Sequence, residues 1–131
     1  MTGEIKIDWP DGCTYSGHWS EGDINGEGVL KNPISRIEYK GRFKNGMKDG
    51  KGKIEQEWDN GLKVVYDGDW VRNKKHGKGS YFARGKDGKV SYTGDWVEGK
   101  KHGYAEVTYA DGSKYKGYFK DDEKEGEGTY T

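Results

Sequence analysis

The sequence predicts an all-β fold, an elongated single-layer array of about five antiparallel β-hairpins, curved and twisted. Three observations carry this reading. The motif Tyr-x-Gly-x-Trp/Phe recurs at Tyr15, Tyr39, Tyr66, Tyr92 and Tyr115, with leading tyrosines 24, 27, 26 and 23 residues apart. A fixed period in the twenties is the signature of a repeat architecture. A glycine pair follows each motif, as Gly26-x-Gly28, Gly50-x-Gly52, Gly77-x-Gly79 and Gly126-x-Gly128, with Ala105 replacing the second glycine after Gly103. Helical spacing of apolar residues is absent, whereas period-two alternation and Asp-Gly or Asn-Gly turn pairs recur throughout.

Taken in order, Gly3 to Trp9 alternate as a half-buried strand should, and they form a partial leading unit over residues 1–12. Pro10-Asp11-Gly12 turns the chain into the first complete unit at Tyr15. Matching turns are expected at Asp59-Asn60-Gly61, Asp87-Gly88 and Asp111-Gly112. Leu30 to Arg36, with Asn32-Pro33, is the one irregular link. Inside a unit, Tyr66, Gly68 and Trp70 share one face and Asp67 and Asp69 take the other. In the second strand Gly77, Gly79 and Tyr81 share a face, with Lys78 and Ser80 opposite. The last position of that triplet is always apolar: Leu30, Ile54, Tyr81, Val107 and Tyr130. One face therefore collects rings and glycines, and a bare Cα lets a ring lie flat across its strand.

Composition excludes several function classes. Lys plus Arg and Asp plus Glu both number 23, so no net field draws the chain to nucleic acid. Leu, Ile, Val and Phe together supply only 18 of 131 residues, but 18 aromatics in register indicate an ordered chain with little aliphatic core. Cys13 is the only cysteine, which rules out an internal disulfide. With no signal peptide and no long apolar run, a cytoplasmic setting is expected.

At these residues the sequence resembles the MORN-repeat family (membrane occupation and recognition nexus). The family unit, Tyr-x-Gly-x-Trp/Phe-x-x-Gly followed by His-Gly-x-Gly, is matched by Tyr66 to Gly79 and by Tyr92 to Gly103. The resemblance implies a hairpin array that scaffolds partners at membranes, cytoskeleton or cilia, or accompanies enzymes as a non-catalytic module, and it implies self-association. The chain departs from the unit at Asn25, Asp49 and Glu125 in place of His, and at Asn73 and Asp122 in place of a loop glycine.

A single sheet must cover its apolar face, and no stretch here makes a covering helix. An uncovered aromatic groove is an interaction site. The candidate partner-binding residues are Tyr15, Trp19, Tyr39, Phe43, Tyr66, Trp70, Tyr92, Trp96, Tyr115 and Phe119. The expected occupant is a protein partner, as a helix, an extended segment or a second copy of the array. The alternative is peripheral contact with anionic lipid through Lys74, Lys75, Lys100 and Lys101, on a loop edge that is basic in the middle and acidic at both ends. A third reading is self-assembly through unpaired edge strands. His76 and His102 occupy equivalent positions one hairpin apart, roughly 9–10 Å, too far for both to reach one zinc at about 2.1 Å. The expectation is therefore no metal, no cofactor and no catalysis. Gly77-x-Gly79 lacks the strand-to-helix passage of a phosphate loop.

Overall fold

A computed structural model describes residues 2–131, and residue 1 of the partial leading unit lies outside the described residues. The chain is all β. A leading strand β1 (Thr2–Asp8) precedes five hairpins: β2 (Thr14–Ser20) with β3 (Asp23–Asn32), and β4 (Ile37–Lys44) with β5 (Met47–Glu57). The others are β6 (Lys63–Val71) with β7 (Lys74–Gly85), β8 (Gly88–Val97) with β9 (Lys100–Thr108), and β10 (Lys114–Lys120) with β11 (Glu123–Tyr130). These eleven strands form one antiparallel sheet in strict sequence order. No second layer exists among the described residues.

Register turns the repeat into rows that cross the whole sheet. One row runs Tyr15, Leu30, Tyr39, Ile54, Tyr66, Tyr81, Tyr92, Val107, Tyr115 and Tyr130, each opposite the next. Beside it, Gly17, Gly28, Gly41, Gly52, Gly68, Gly79, Gly94, Ala105, Gly117 and Gly128 make a row almost without side chains. Each motif tyrosine lies down into this gap. A Cβ on Gly79 would overlap the Tyr66 ring and hydroxyl, and one on Gly52 would overlap Tyr39 in the same way. Glycine is required there by the close approach of the ring.

Every hairpin carries a bulge after its cross-strand glycine pair, or after Gly94 and Ala105 in the fourth. Between Gly68 and Trp70 stands one residue, Asp69, while three residues, His76 to Lys78, separate their partners Gly79 and Lys75. The two extra residues tighten the local twist, and Gly77 meets this with a φ of +91°. In three hairpins the residue facing the bulge has no ladder partner across it, and its carbonyl accepts the tyrosine hydroxyl instead. Tyr15 donates to His18, Tyr39 to Arg42 and Tyr66 to Asp69, each at 2.8 Å. Tyr92 donates likewise to Asp95 at 2.7 Å, where the register shift falls one residue earlier, so at each of these four bulges a backbone carbonyl satisfies the buried phenol.

The hairpin loops are two-residue turns with both central residues at positive φ: Glu21-Gly22, Asn45-Gly46, Arg72-Asn73, Glu98-Gly99 and Asp121-Asp122. This geometry matches the strand twist. On the other side of the sheet, the Trp9–Cys13, Trp58–Leu62 and Tyr109–Ser113 links repeat one turn. In each, a glycine N–H donates to the carbonyl three residues back, and Asp11, Asn60 or Asp111 accepts from the residue two ahead. The expected turn at Asp87-Gly88 falls one residue earlier, on Lys86-Asp87, because Gly85 and Gly88 close the ladder. The irregular link after Asn32 is held by the Asn32 side-chain oxygen Oδ1, which accepts from the Ile34 and Ser35 N–H groups at 3.1 Å.

Candidate partner-binding face

The rings of the five units form one continuous ladder. Phe43 meets Tyr15 and Tyr39 edge-on at 5.4 and 5.0 Å, and Trp70 meets Tyr39 and Tyr66 at 5.5 and 5.2 Å. Trp96 and Phe119 repeat the step between the following tyrosines. Edge-to-face pairs at this separation are favourable for aromatic quadrupoles. Each Trp or Phe therefore bridges its own unit to the preceding one. The indoles of Trp70 and Trp96 also donate to the carbonyls of Gly52 and Gly79 in the preceding hairpin, at 3.0 and 3.2 Å.

Of the ten ring positions singled out from sequence, nine are interior. Tyr15, Tyr39, Tyr66, Tyr92 and Tyr115 are at most 2% exposed, and Phe43, Trp70, Trp96 and Phe119 at most 6%. Trp19 is half-buried, since no earlier unit supplies a tyrosine beneath it. These rings are the core of the ribbon and its floor; the surface above them is built by other side chains. Burial holds the hydroxyls protonated, pushing Tyr92 up to about 12 and Tyr39 and Tyr66 further.

The covering side chains are lysines at one repeating position. Lys48, Lys75, Lys101 and Lys124 stand opposite Phe43, Trp70, Trp96 and Phe119 across their hairpins, and Ile24 takes that place opposite Trp19. The Lys75 ammonium lies 5.3 Å from the Tyr66 ring and 5.2 Å from Trp96. Lys48 lies 5.6 Å from both Tyr39 and Trp70, Lys101 lies 5.6 Å from Tyr92, and Lys124 lies 4.8 Å from Tyr115. Their stems cover apolar rings while the charged ends reach the surface. Desolvation lowers the affinity of Lys48 and Lys75 for their protons. Between these two lysines, Ile54, Gln56, Val64, Tyr66 and Trp70 line an open depression of about 360 Å³.

The four lysines singled out for the loop edge are divided by this arrangement. Lys75 and Lys101 belong to the aromatic face, contrary to their expected place at the edge. The bulge adds two residues and so preserves strand parity, which carries Lys75 onto the face of Gly77, Gly79 and Tyr81. Lys74 remains at the edge, paired with Glu98 at 3.2 Å, and Lys100 remains there exposed. Lys48 and Lys124, which the sequence suggests only as loop charges, also belong to this face; counting back by twos from Ile54 and Tyr130 reaches them.

The histidine position has a structural use. His76 Nδ1 accepts from the Glu98 N–H at 3.3 Å, as Asn25 accepts from Asn45 and Asp49 from Arg72 one loop on. These bonds run alongside backbone staples between successive loops, such as Asn73 N–H to Lys48 and Gly99 N–H to Lys75.

The opposite face is not uniformly polar. Val65 is buried there opposite Phe82, and the Lys89 ammonium caps that ring at 4.4 Å. Tyr104 and Tyr118 form an exposed edge-to-face pair at 5.4 Å. Elsewhere its charges pair across strands, as in Lys51–Asp69 at 2.8 Å and Lys78–Asp95 at 3.1 Å.

Comparison with known proteins agrees with the geometry. The chain is 32% identical to alsin from Rattus norvegicus over 118 residues, covering 88% of this chain and 6% of that protein. Identity to alsin from Homo sapiens is also 32% over 118 residues, 88% of this chain and 5% of the relative. The chain thus spans about one-twentieth of the length of these relatives. The family description "MORN repeat" matches residues 15–33, 39–55, 66–86, 92–114 and 115–131. Such repeats are non-enzymatic modules that mediate protein or membrane interactions. With five matched segments, each opening on the tyrosine that fills a glycine gap, the chain belongs to the MORN-repeat family.

Proposed function

We propose that this chain is a non-enzymatic scaffold that docks a protein segment on its aromatic face. One observation carries the reading: an apolar floor without a covering layer, opening into a depression flanked by Lys48 and Lys75. A segment seated there meets Ile54, Val64 and Tyr81 and the lysine stems, over rings that fix the shape of the floor. The setting that goes with this role is cytoplasmic, with attachment to cytoskeleton, cilium or membrane through the partner.

The test separates the two faces. A photocrosslinking residue at Ile54 in cells yields a discrete partner adduct, whereas the same residue at Lys53, on the opposite face, yields none. Equal adducts from both positions, or none from Ile54, defeat the proposal.

A further inference from the structure

We propose that the occupant of the aromatic face is an acidic amphipathic helix laid across the strands, its carboxylates met in turn by Lys48, Lys75, Lys101 and Lys124. This rests on the reading of that face as a docking surface and names the chemistry of its partner.

Charge is segregated between the two faces. Several lysines on the opposite face pair with carboxylates, as Lys51 does with Asp69 and Lys53 with Glu55, in rows that also carry Asp and Glu. Among the described residues, none of the four aromatic-face lysines has a carboxylate within ion-pairing distance. Nor does any strand position on that face carry Asp or Glu: its rows hold Gly, Tyr, Trp, Phe, Ile, Leu, Val, Ala, Asn, Gln and Lys. Lys48 and Lys75 are stripped of part of their hydration by the rings beneath them. Asp122 acts on Lys75 from a distance, but neither ammonium has a carboxylate in contact among the described residues, and a partially desolvated charge in that state favours a counter-ion from outside.

Spacing selects the helix. The lysines recur every second strand, about 9.6 Å apart at ordinary strand separation, and seven residues of α-helix rise about 10.5 Å. The difference of about 1 Å per step is within the reach of flexible lysine stems. An extended segment lying on a sheet face leaves its own backbone groups unpaired over apolar rings, whereas a helix satisfies them internally. Across the ring-filled glycine row from the lysines runs the apolar row of Ile54, Tyr81 and Val107, which fits the leucine stripe of an amphipathic helix. Because Ile24 replaces lysine in the first unit, the fifth acidic position of the partner is expected to be apolar.

The experiment uses synthetic four-heptad helices with a leucine stripe beside Glu, Gln or Lys at every seventh position, followed by fluorescence anisotropy at low and high salt. The Glu peptide binds about tenfold or more tightly than the Gln peptide, since four modest charge pairs add, and salt erases the difference. Replacing Lys48, Lys75, Lys101 and Lys124 with Met keeps the covering stems and folded spectrum but abolishes the Glu preference. Met at Lys51, Lys78 and Lys114 leaves it intact. Equal binding of Glu and Gln peptides overturns the acidic inference while sparing the docking reading. If no peptide binds and phosphatidylserine vesicles do, or if neither binds, both readings fall.

Discussion

The tyrosine hydroxyl and the glycine facing it are the residues on which each unit depends. Tyr66 reaches across Gly79 to donate to the Asp69 carbonyl, so ring, gap and acceptor must coincide. Gly79→Ala places a methyl inside that ring and is expected to cost about 1–3 kcal/mol or more, as overpacked cores do. Ala105→Gly, at the one position where a methyl is already accommodated, is expected to change stability by less than about 1 kcal/mol. Denaturant titration of the two variants checks the contrast; equal effects would remove the account of the glycine row. The same tyrosines set an alkaline limit. Burial raises Tyr39, Tyr66 and Tyr92 above their ordinary value of 10.0, Tyr92 to about 12. The unfolded chain therefore loses these protons first. Their contribution is fully present below pH 10 and falls as pH rises toward 12. Thermal melts across that window, followed with tyrosinate absorbance, should show melting temperature dropping before the phenols ionise.

At the scale of the element, the hairpins are set by their turns and joined by what the turns offer the next loop. Asn73 adopts a φ of +69°, donates its N–H to the Lys48 carbonyl and accepts from the Lys48 N–H at 2.9 Å. Asn73→Ala removes the side-chain acceptor and places a residue ill-suited to positive φ there. The expected loss is about 1–2 kcal/mol, read by chemical denaturation. Asn73→Gly keeps the backbone geometry but not the acceptor, so an intermediate loss separates the two contributions. These staples join hairpins whose exposed ion pairs individually add little.

At the scale of the molecule, a single sheet without a second layer is stable because its core lies within its own thickness. Rings fill the glycine gap, lysine stems lie over the rings, and each Trp or Phe binds two units together. Contacts run between neighbouring strands and from each Trp or Phe ring back to the preceding hairpin, so stability is a sum of hairpin and nearest-neighbour interface contributions. The arrangement leaves one long face whose floor is apolar and whose free charges are all positive. On the docking proposal, the occupant of that face carries the opposite charge.

The period of the tyrosines, the parity of side chains within each strand and the Asp-Gly turns made the hairpin array legible in the sequence alone. They are local: each depends on residues a few positions apart, and parity survives wherever a strand is continuous. The ring positions were legible as one face, but their depth was not, because burial depends on what the neighbouring hairpin lays over them. Only the tertiary structure decided that Lys75 and Lys101 belong with the rings rather than with the loop edge, and that Lys48 and Lys124 join them. A bulge of two residues is invisible in composition, yet it keeps the alternation running through what reads as a loop. Register across hairpins then placed the four ammonium groups in a line.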